Sequence, residues 1–409
     1  MLHKVNRIFN GSIAPYFMVD VSLKGLAALF IPLFAKFMGP EDLGLYVEWF
    51  AVYSVVSALI CLGIPSYYLV VSIKKGKGAE IEAHLFKVFL EWSFLIVVAS
   101  CIFGLFLNGQ LFYVFAIILA AFSFFFIEFA VSNARLENDI NFYALLQFFM
   151  FLSTVSIPFV AVLLTPTFDS RALAFVLSLS FVSLFCFVKM NRKIVRKRDV
   201  LVTSEVRVSV YKYGLPLVSI ALFSWLKLGG DLQFLKSYGG YGVAGNMGLA
   251  FQILAVVSIA GASLNRAASV KLYSFIKNED NDGWYKAVTK MSFLVAVLGI
   301  ISYGLFYLII HFWLSEYTLA LKFYGPMMVG TVFYCAAQFW ASRVIYKEKT
   351  YILTVCLIVS SLLHPIFSYV INLTFGYEFL GYSTLFSNII FLVLLLCLCR
   401  KFCWSSSLP

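Results

Sequence analysis

The chain has 409 residues, of which 62% are hydrophobic and only 12% charged, with a mean hydropathy of +0.92. Soluble domains run near one half apolar and one quarter charged, so this composition excludes a water-soluble fold and makes lipid the solvent. The net charge of +11 does not argue for nucleic acid, because in a membrane chain the positions of Lys and Arg report topology.

A hydrocarbon core about 30 Å thick calls for roughly 20 apolar helical residues per crossing. On that measure the chain opens on a polar stretch, MLHKVNRIFNGS, with no cleavable signal peptide expected. Twelve spans follow. The first, 14–37, carries Asp20, Lys24 and Pro32; the second, 44–71, carries Glu48 one turn in from its start. Spans three to six lie at 88–107, 111–132, 142–165 and 172–188. A basic connection, 189–212, then reads as a membrane-surface anchor joining two halves. The seventh span, 213–236, holds Lys227, Gly229, Gly230 and Asp231, and the eighth, 243–270, holds Arg266 near its far end. The last four lie at 291–312, 319–342, 351–373 and 379–399, with His311 and His364 toward outer helix ends, read as interface residues ahead of a proton relay. The closing C-L-C-R-K-F-C lacks the partners of a zinc site, so no metal is expected.

Connections between spans alternate in charge. The N-terminus, the even-numbered connections and the C-terminal tail hold 24 of the 31 Lys and Arg. The positive-inside rule then places both termini in the cytoplasm. The fold expected is all-α and integral to the membrane, with domains at 1–188, 189–212 (the linker) and 213–409.

The halves resemble one another. GPEDLGLY at 39–46 and GYGVAGNM at 240–247 share G-x4-G at an offset of 201, each between the first and second span of its half. Arg135 and Tyr143 match Arg343 and Tyr351 at an offset of 208, and Pro158 nearly matches Pro365. Six spans per half is even, so the halves share one orientation, and the expected architecture is two pseudo-symmetric six-helix lobes around a central cavity.

An ionisable group near mid-bilayer costs roughly 2.5–3.5 kcal/mol on insertion scales, so it faces a cavity or a partner. Asp20 with Lys24, and Lys227 with Asp231, are i,i+4 pairs on one helix face in corresponding spans. Two readings stay open: a self-neutralising ion pair, or a polar cavity wall whose lysines hold an anion. Arg266 either snorkels to the interface or lines the mouth of a cavity, where its fork suits pyrophosphate. Glu48 is a gating or ion-coupling carboxylate, or an interfacial one. A bend beside the charges at Gly229-Gly230, or at Pro32, is the discontinuity transporter sites use. There is no G-x4-G-K-[ST] loop, so ATP hydrolysis is not expected of this chain.

The stretches KFMGPEDLGLYVEWFAVYSVVSALICLGIPS and YGLPLVSIALFSWLKLGGDLQFLKSYGGYGVAGNMGLAFQI resemble the starts of the two halves of O-antigen and polysaccharide flippases (Wzx-type). These belong to the multidrug/oligosaccharidyl-lipid/polysaccharide (MOP) exporter superfamily. The resemblance implies a non-enzymatic secondary transporter in the bacterial inner membrane. Its cargo is an undecaprenyl-pyrophosphate-linked O-antigen or related repeat unit, moved to the periplasmic leaflet by alternating access. No cofactor is implied beyond a proton or Na⁺ gradient; a polysaccharide polymerase and chain-length proteins are possible partners. Lys24, Lys227 and Arg266 match the family's cationic lining, and Asp20 or Asp231 is the expected ion-coupling group. A multidrug exporter of the same superfamily is the nearest alternative, and a membrane O-antigen polymerase a more distant one.

Overall fold

The computed structural model describes residues 14–75, 79–105, 111–194, 204–347, 349 and 351–403, and among them the chain is helical throughout with no strand. Its helices are α1 (Ala14–Cys61), α2 (Ile64–Lys75), α3 (Ala79–Leu105), α4 (Leu111–Glu137), α5 (Ile140–Phe151), α6 (Ile157–Leu164), α7 (Phe168–Ile194), α8 (Ser204–Lys277), α9 (Asn281–Phe312), α10 (Thr318–Tyr346), α11 (Tyr351–Phe375) and α12 (Gly381–Cys403). Among the described residues nine helices are long and apolar enough to cross a membrane, which makes this a multi-pass membrane protein.

Two of those nine are too long for one crossing. The stretch Glu205–Asn265 has 61 residues and Met18–Cys61 has 44; at 1.5 Å per residue the first would extend about 90 Å, three hydrocarbon thicknesses. Both break at a glycine. Gly39 has φ 75°, ψ 171° inside α1, and Gly240 has φ 73°, ψ −174° inside α8. That region of the backbone map is open essentially only to glycine. These are the first glycines of the two G-x4-G stretches, so each hairpin turns at the same place in its copy.

Other joints differ from the hydropathy reading. The second span, expected unbroken over 44–71, stops at Cys61, because Leu62 and Gly63 both take positive φ (45° and 62°) before α2 begins. Between α5 and α6 the chain makes a π-helical turn at Leu152–Ser156, just ahead of Pro158, whose missing N–H leaves a gap in the hydrogen-bond ladder. No break occurs at Gly229-Gly230; α8 stays helical through both, and Gly229 leaves room for the Trp225 indole, which a Cβ would strike. Pro32 likewise sits within an unbroken stretch of α1.

The chain divides into two compact units, each assembled from discontinuous pieces. Unit 1 comprises Met1–Phe30 and Trp49–Ala221; unit 2 comprises Ile31–Glu48 and Leu222–Pro409. In unit 1 a core of Leu62, Tyr68, Phe89, Phe125 and Phe129 also takes in Val210 and Val218 from the start of α8. Phe89 and Phe125 stack with centroids 3.5 Å apart. Gly214 packs on the Leu62 carbonyl and Leu217 over Gly63, which fastens the beginning of α8 to the α1–α2 joint.

Among the described residues of unit 2, two apolar clusters stand out. One surrounds Trp284 with Val257, Leu272, Val295 and Phe339, and its indole Nε1 donates to Ser342 Oγ at 3.3 Å. The other joins α10, α11 and α12 through Ala341, Cys356, Phe391 and Leu395. The inserted piece Ile31–Glu48 is held by Tyr317, whose hydroxyl donates to the Ala35 carbonyl at 3.0 Å, and by a glycine crossing. A Cβ on Gly44 would fall on the Tyr241 carbonyl oxygen, and one on Gly245 on the Pro40 carbonyl oxygen. The second glycines of the two G-x4-G stretches thus let two backbones touch.

Candidate functional site

In unit 2 a cavity of about 330 Å³ opens among α8, α10, α11 and α12. One wall is polar, with Lys227, Asp231, Thr331, Ser361, Thr384 and Asn388; the other is apolar, with Met247, Phe251, Leu254, Ile259 and Met327. The 3.6-residue period puts Lys227 and Asp231 one turn apart on the same face of α8, and Thr384 and Asn388 likewise on α12.

The two charges on α8 do not satisfy each other. Lys227 Nζ donates to Asn388 Oδ1 at 3.3 Å and to Ser360 Oγ at 3.4 Å, both neutral acceptors. Asp231, only 1% exposed, is held by a separate set. Its Oδ2 lies 2.8 Å from His364 Nε2, Ser368 Oγ donates to Oδ1 at 2.6 Å, and Ser383 Oγ donates to Oδ2 at 3.3 Å. Behind the imidazole, Ser387 Oγ is 3.1 Å from His364 Nδ1. A buried carboxylate needs such donors, since an unpaired charge in an apolar medium is prohibitively unstable. Ser361 Oγ lines the cavity, is buried, and has no hydrogen-bond partner among the described residues, so a ligand there would meet both a cation and a spare hydroxyl.

His364 corrects the interface reading. It lies at mid-helix in α11, is 1% exposed, and is the counterpart that Asp231 uses in place of Lys227. The sequence offered one faint signal: Ser360, Ser361, His364 and Ser368 recur at helical spacing in an otherwise apolar span, as do Ser383, Thr384, Ser387 and Asn388 in the next. His311, by contrast, is exposed and stacks on Tyr307.

The corresponding pair in unit 1 behaves differently. Lys24 Nζ lies 3.5 Å from Asp20 Oδ2, with side-chain exposures of 48% and 16%. Asp20 Oδ1 accepts from the Tyr143 hydroxyl at 2.5 Å, and Arg135 donates to the same hydroxyl at 3.1 Å while its guanidinium stacks on the ring. Here lysine and aspartate are mutual partners, with Tyr143 and Arg135 completing the set. Both aspartates are therefore fixed by a helix later in their own unit, α5 for Asp20 and α11 for Asp231.

Glu48 belongs to unit 2. Its carboxylate accepts from Gln233 and pairs with Lys236, Nζ lying 3.1 and 3.3 Å from the two oxygens. Lys236 also sits 4.6 Å above the Tyr241 ring, beside the Gly44–Gly245 crossing. Arg266 falls within α8, but its side chain lies outside the described residues. The structure brings Lys227 and Asp231 to one cavity; Glu48 stands at the glycine crossing, and Asp20 and Lys24 in unit 1.

No protein-family model matches the chain, and no curated protein matches it in sequence. Solved structures do. The chain is similar to an inward-facing multidrug resistance MATE family transporter of the MOP superfamily, at 15% identity over 95% of this chain and 98% of that one, with TM-score 0.70. It is similar to the lipid II flippase MurJ in an inward closed conformation, at 15% identity over 94% of this chain and 87% of that one, with TM-score 0.71. An outward-facing MATE structure aligns with TM-score 0.60 over 95% of this chain. At such identities it is the fold that the chain shares with these proteins.

Proposed function

We propose that this chain is a flippase that moves undecaprenyl-pyrophosphate-linked O-antigen, or a related polysaccharide repeat unit, between the leaflets of the bacterial inner membrane. The reading includes twelve crossings in two pseudo-symmetric six-helix lobes, both termini in the cytoplasm, and alternating access driven by a proton or Na⁺ gradient. Breaks at Gly39 and Gly240, which split the two longest helices, support the span count. The similarity to a lipid II flippase supports a lipid-linked cargo.

The observation that carries the proposal is the Lys227 cavity. It sets a cation with neutral partners, and a buried hydroxyl without any, against a wall of Met, Phe and Leu. A pyrophosphate and its sugars cannot cross hydrocarbon unaided, and a buried ammonium substitutes for the water they leave. Lys227 binds the anionic headgroup, with Lys24 and Arg266 as further proposed anion ligands, Asp231 or Asp20 couples the gradient, and Glu48 gates. The chain performs no bond-making chemistry. Its partners are the lipid-linked oligosaccharide, the polymerase that consumes it and the chain-length proteins that act with that polymerase.

A second reading, export of amphipathic drugs, has support from the aromatic and Met-lined wall and from similarity to a multidrug transporter. Deletion in the native host with complementation separates the two. Loss of surface polysaccharide, with single lipid-linked units accumulating on the cytoplasmic side, supports flipping. Intact polysaccharide with new sensitivity to cationic dyes supports export, and single units accumulating on the periplasmic side support a polymerase.

A further inference from the structure

The hydroxyls around Asp231 and His364 have a property that a fixed ion pair does not require: each reaches two acceptors. Ser387 Oγ lies 3.1 Å from His364 Nδ1 and 3.2 Å from the Thr384 carbonyl oxygen. Ser368 Oγ reaches Asp231 Oδ1 at 2.6 Å and the His364 carbonyl at 3.1 Å; Ser383 Oγ reaches Asp231 Oδ2 at 3.3 Å and the Leu380 carbonyl at 2.6 Å.

An ionised carboxylate only accepts, so Nε2 carries the hydrogen shared with Asp231, and neutral Nδ1 accepts from Ser387. If a proton is added at Nδ1, that nitrogen becomes a donor. Ser387 then accepts from it and turns its own hydrogen to the Thr384 carbonyl. Both protonation states leave every buried group bonded, and the exchange needs only a hydroxyl rotation. The proton comes from solvent and returns to it, and only an N–H bond forms or breaks.

We propose that Asp231 and His364 form a one-proton site, and that its occupancy sets the charge of the Lys227 cavity and hence its affinity for an anionic phosphate-bearing headgroup. Without the proton, the Lys227 cation is balanced by Asp231 one turn away. With it, the Asp231–His364 pair is neutral and Lys227 stands alone with Asn388 and Ser360. Proton and anion therefore favour each other's binding, and the linkage is reciprocal. The groups lining this region are few: Lys227 and Asp231 from α8, His364 from α11 and Tyr334 from α10, while α12 supplies Ser383, Thr384, Ser387 and Asn388, none of them titratable near neutrality. The inference rests on the anion-carrying role given to Lys227 above.

The test is calorimetric titration of the purified full chain with inorganic pyrophosphate, in buffers of different ionisation heat, from pH 5 to 8. The wild type is expected to take up as much as about one proton more per chain than His364→Asn, the ligand's own protonation being common to both. Its affinity is expected to rise about tenfold toward low pH, beyond any change in the variant. Ser387→Ala keeps the histidine but removes the Nδ1–H acceptor, so its proton uptake is expected to fall below that of the wild type, which guards against a His364 variant that misfolds. Equal uptake in wild type and both variants, absence of pyrophosphate binding to the wild type, or displacement of the proton when sodium replaces choline would each overturn the proposal. Proton-linked pyrophosphate binding alongside unaltered surface polysaccharide in the deletion strain overturns the O-antigen cargo instead.

Discussion

Substitution of Gly245 by alanine is the sharpest probe of how unit 2 is held together. The added methyl would meet the Pro40 carbonyl oxygen and carbon and the Gly44 nitrogen, all backbone atoms that no rotamer change can move. The two helices must therefore separate. Overpacking of this kind costs about 1–3 kcal/mol, and rigid backbone neighbours put this site near the upper figure. Replacing glycine in a helix returns about 1 kcal/mol of propensity, which leaves a net loss of about 2 kcal/mol. For a unit of this size that is a fall of about 4–8 °C in Tm. Gly25→Ala is the control: nothing lies within 4 Å of its added Cβ, so only the propensity gain remains and Tm stays level or rises. Thermal unfolding of the purified chain in one detergent, followed by circular dichroism, reads both. Equal Tm for Gly245→Ala and Gly25→Ala would refute the close crossing.

Three further outcomes are expected. Lys227→Met removes a buried cation whose partners are neutral, so Tm holds or rises, while pyrophosphate affinity falls about 10–100-fold through loss of a charged hydrogen bond; unchanged affinity by calorimetry dismisses Lys227 as the anion ligand. Trp284→Ala empties the centre of a fully buried cluster and loses about 3–5 kcal/mol, seen as a fall in Tm of roughly 10 °C or as failure to purify a folded protein; a Tm within 2 °C or so of wild type contradicts the packing described. Glu48→Gln breaks a part-exposed pair worth at most about 1 kcal/mol, so stability barely changes, yet complementation of surface polysaccharide drops; full complementation removes the gating role.

Much of the helical layout is written in hydropathy, because lipid forces every crossing to be a long apolar helix. The hairpin turns were legible too, since G-x4-G recurs where only glycine supplies the backbone angle and the close approach. Joints that depend on neighbours were not. Leu62 adopts positive φ although nothing in its local sequence demands it, and Gly229-Gly230 looks like a hinge but serves as a seat for Trp225. The site shows the same division. Lys24–Asp20 and Lys227–Asp231 look alike on a helical wheel, yet one pair is mutual and the other divorced. The difference comes from His364, 133 residues beyond Asp231, while among the described residues Asp20 has Tyr143 as its partner on the facing helix. Local spacing gives the face a charge occupies; the distant helix that packs there decides its partner.

The patchwork make-up of the two units bears on how the protein is made. Ile31–Glu48 is synthesised early but belongs to unit 2, and the start of α8, whose first turns lie in the basic connection, belongs to the core of unit 1. As the chain leaves the ribosome, neither bundle can close from its own half of the message. The first draws on Val210, within the linker, and on Val218, past it, and the second on a hairpin made long before. Two fragments divided at the linker are expected to be recovered folded only when co-expressed, and size-exclusion chromatography of each alone and of both together checks this.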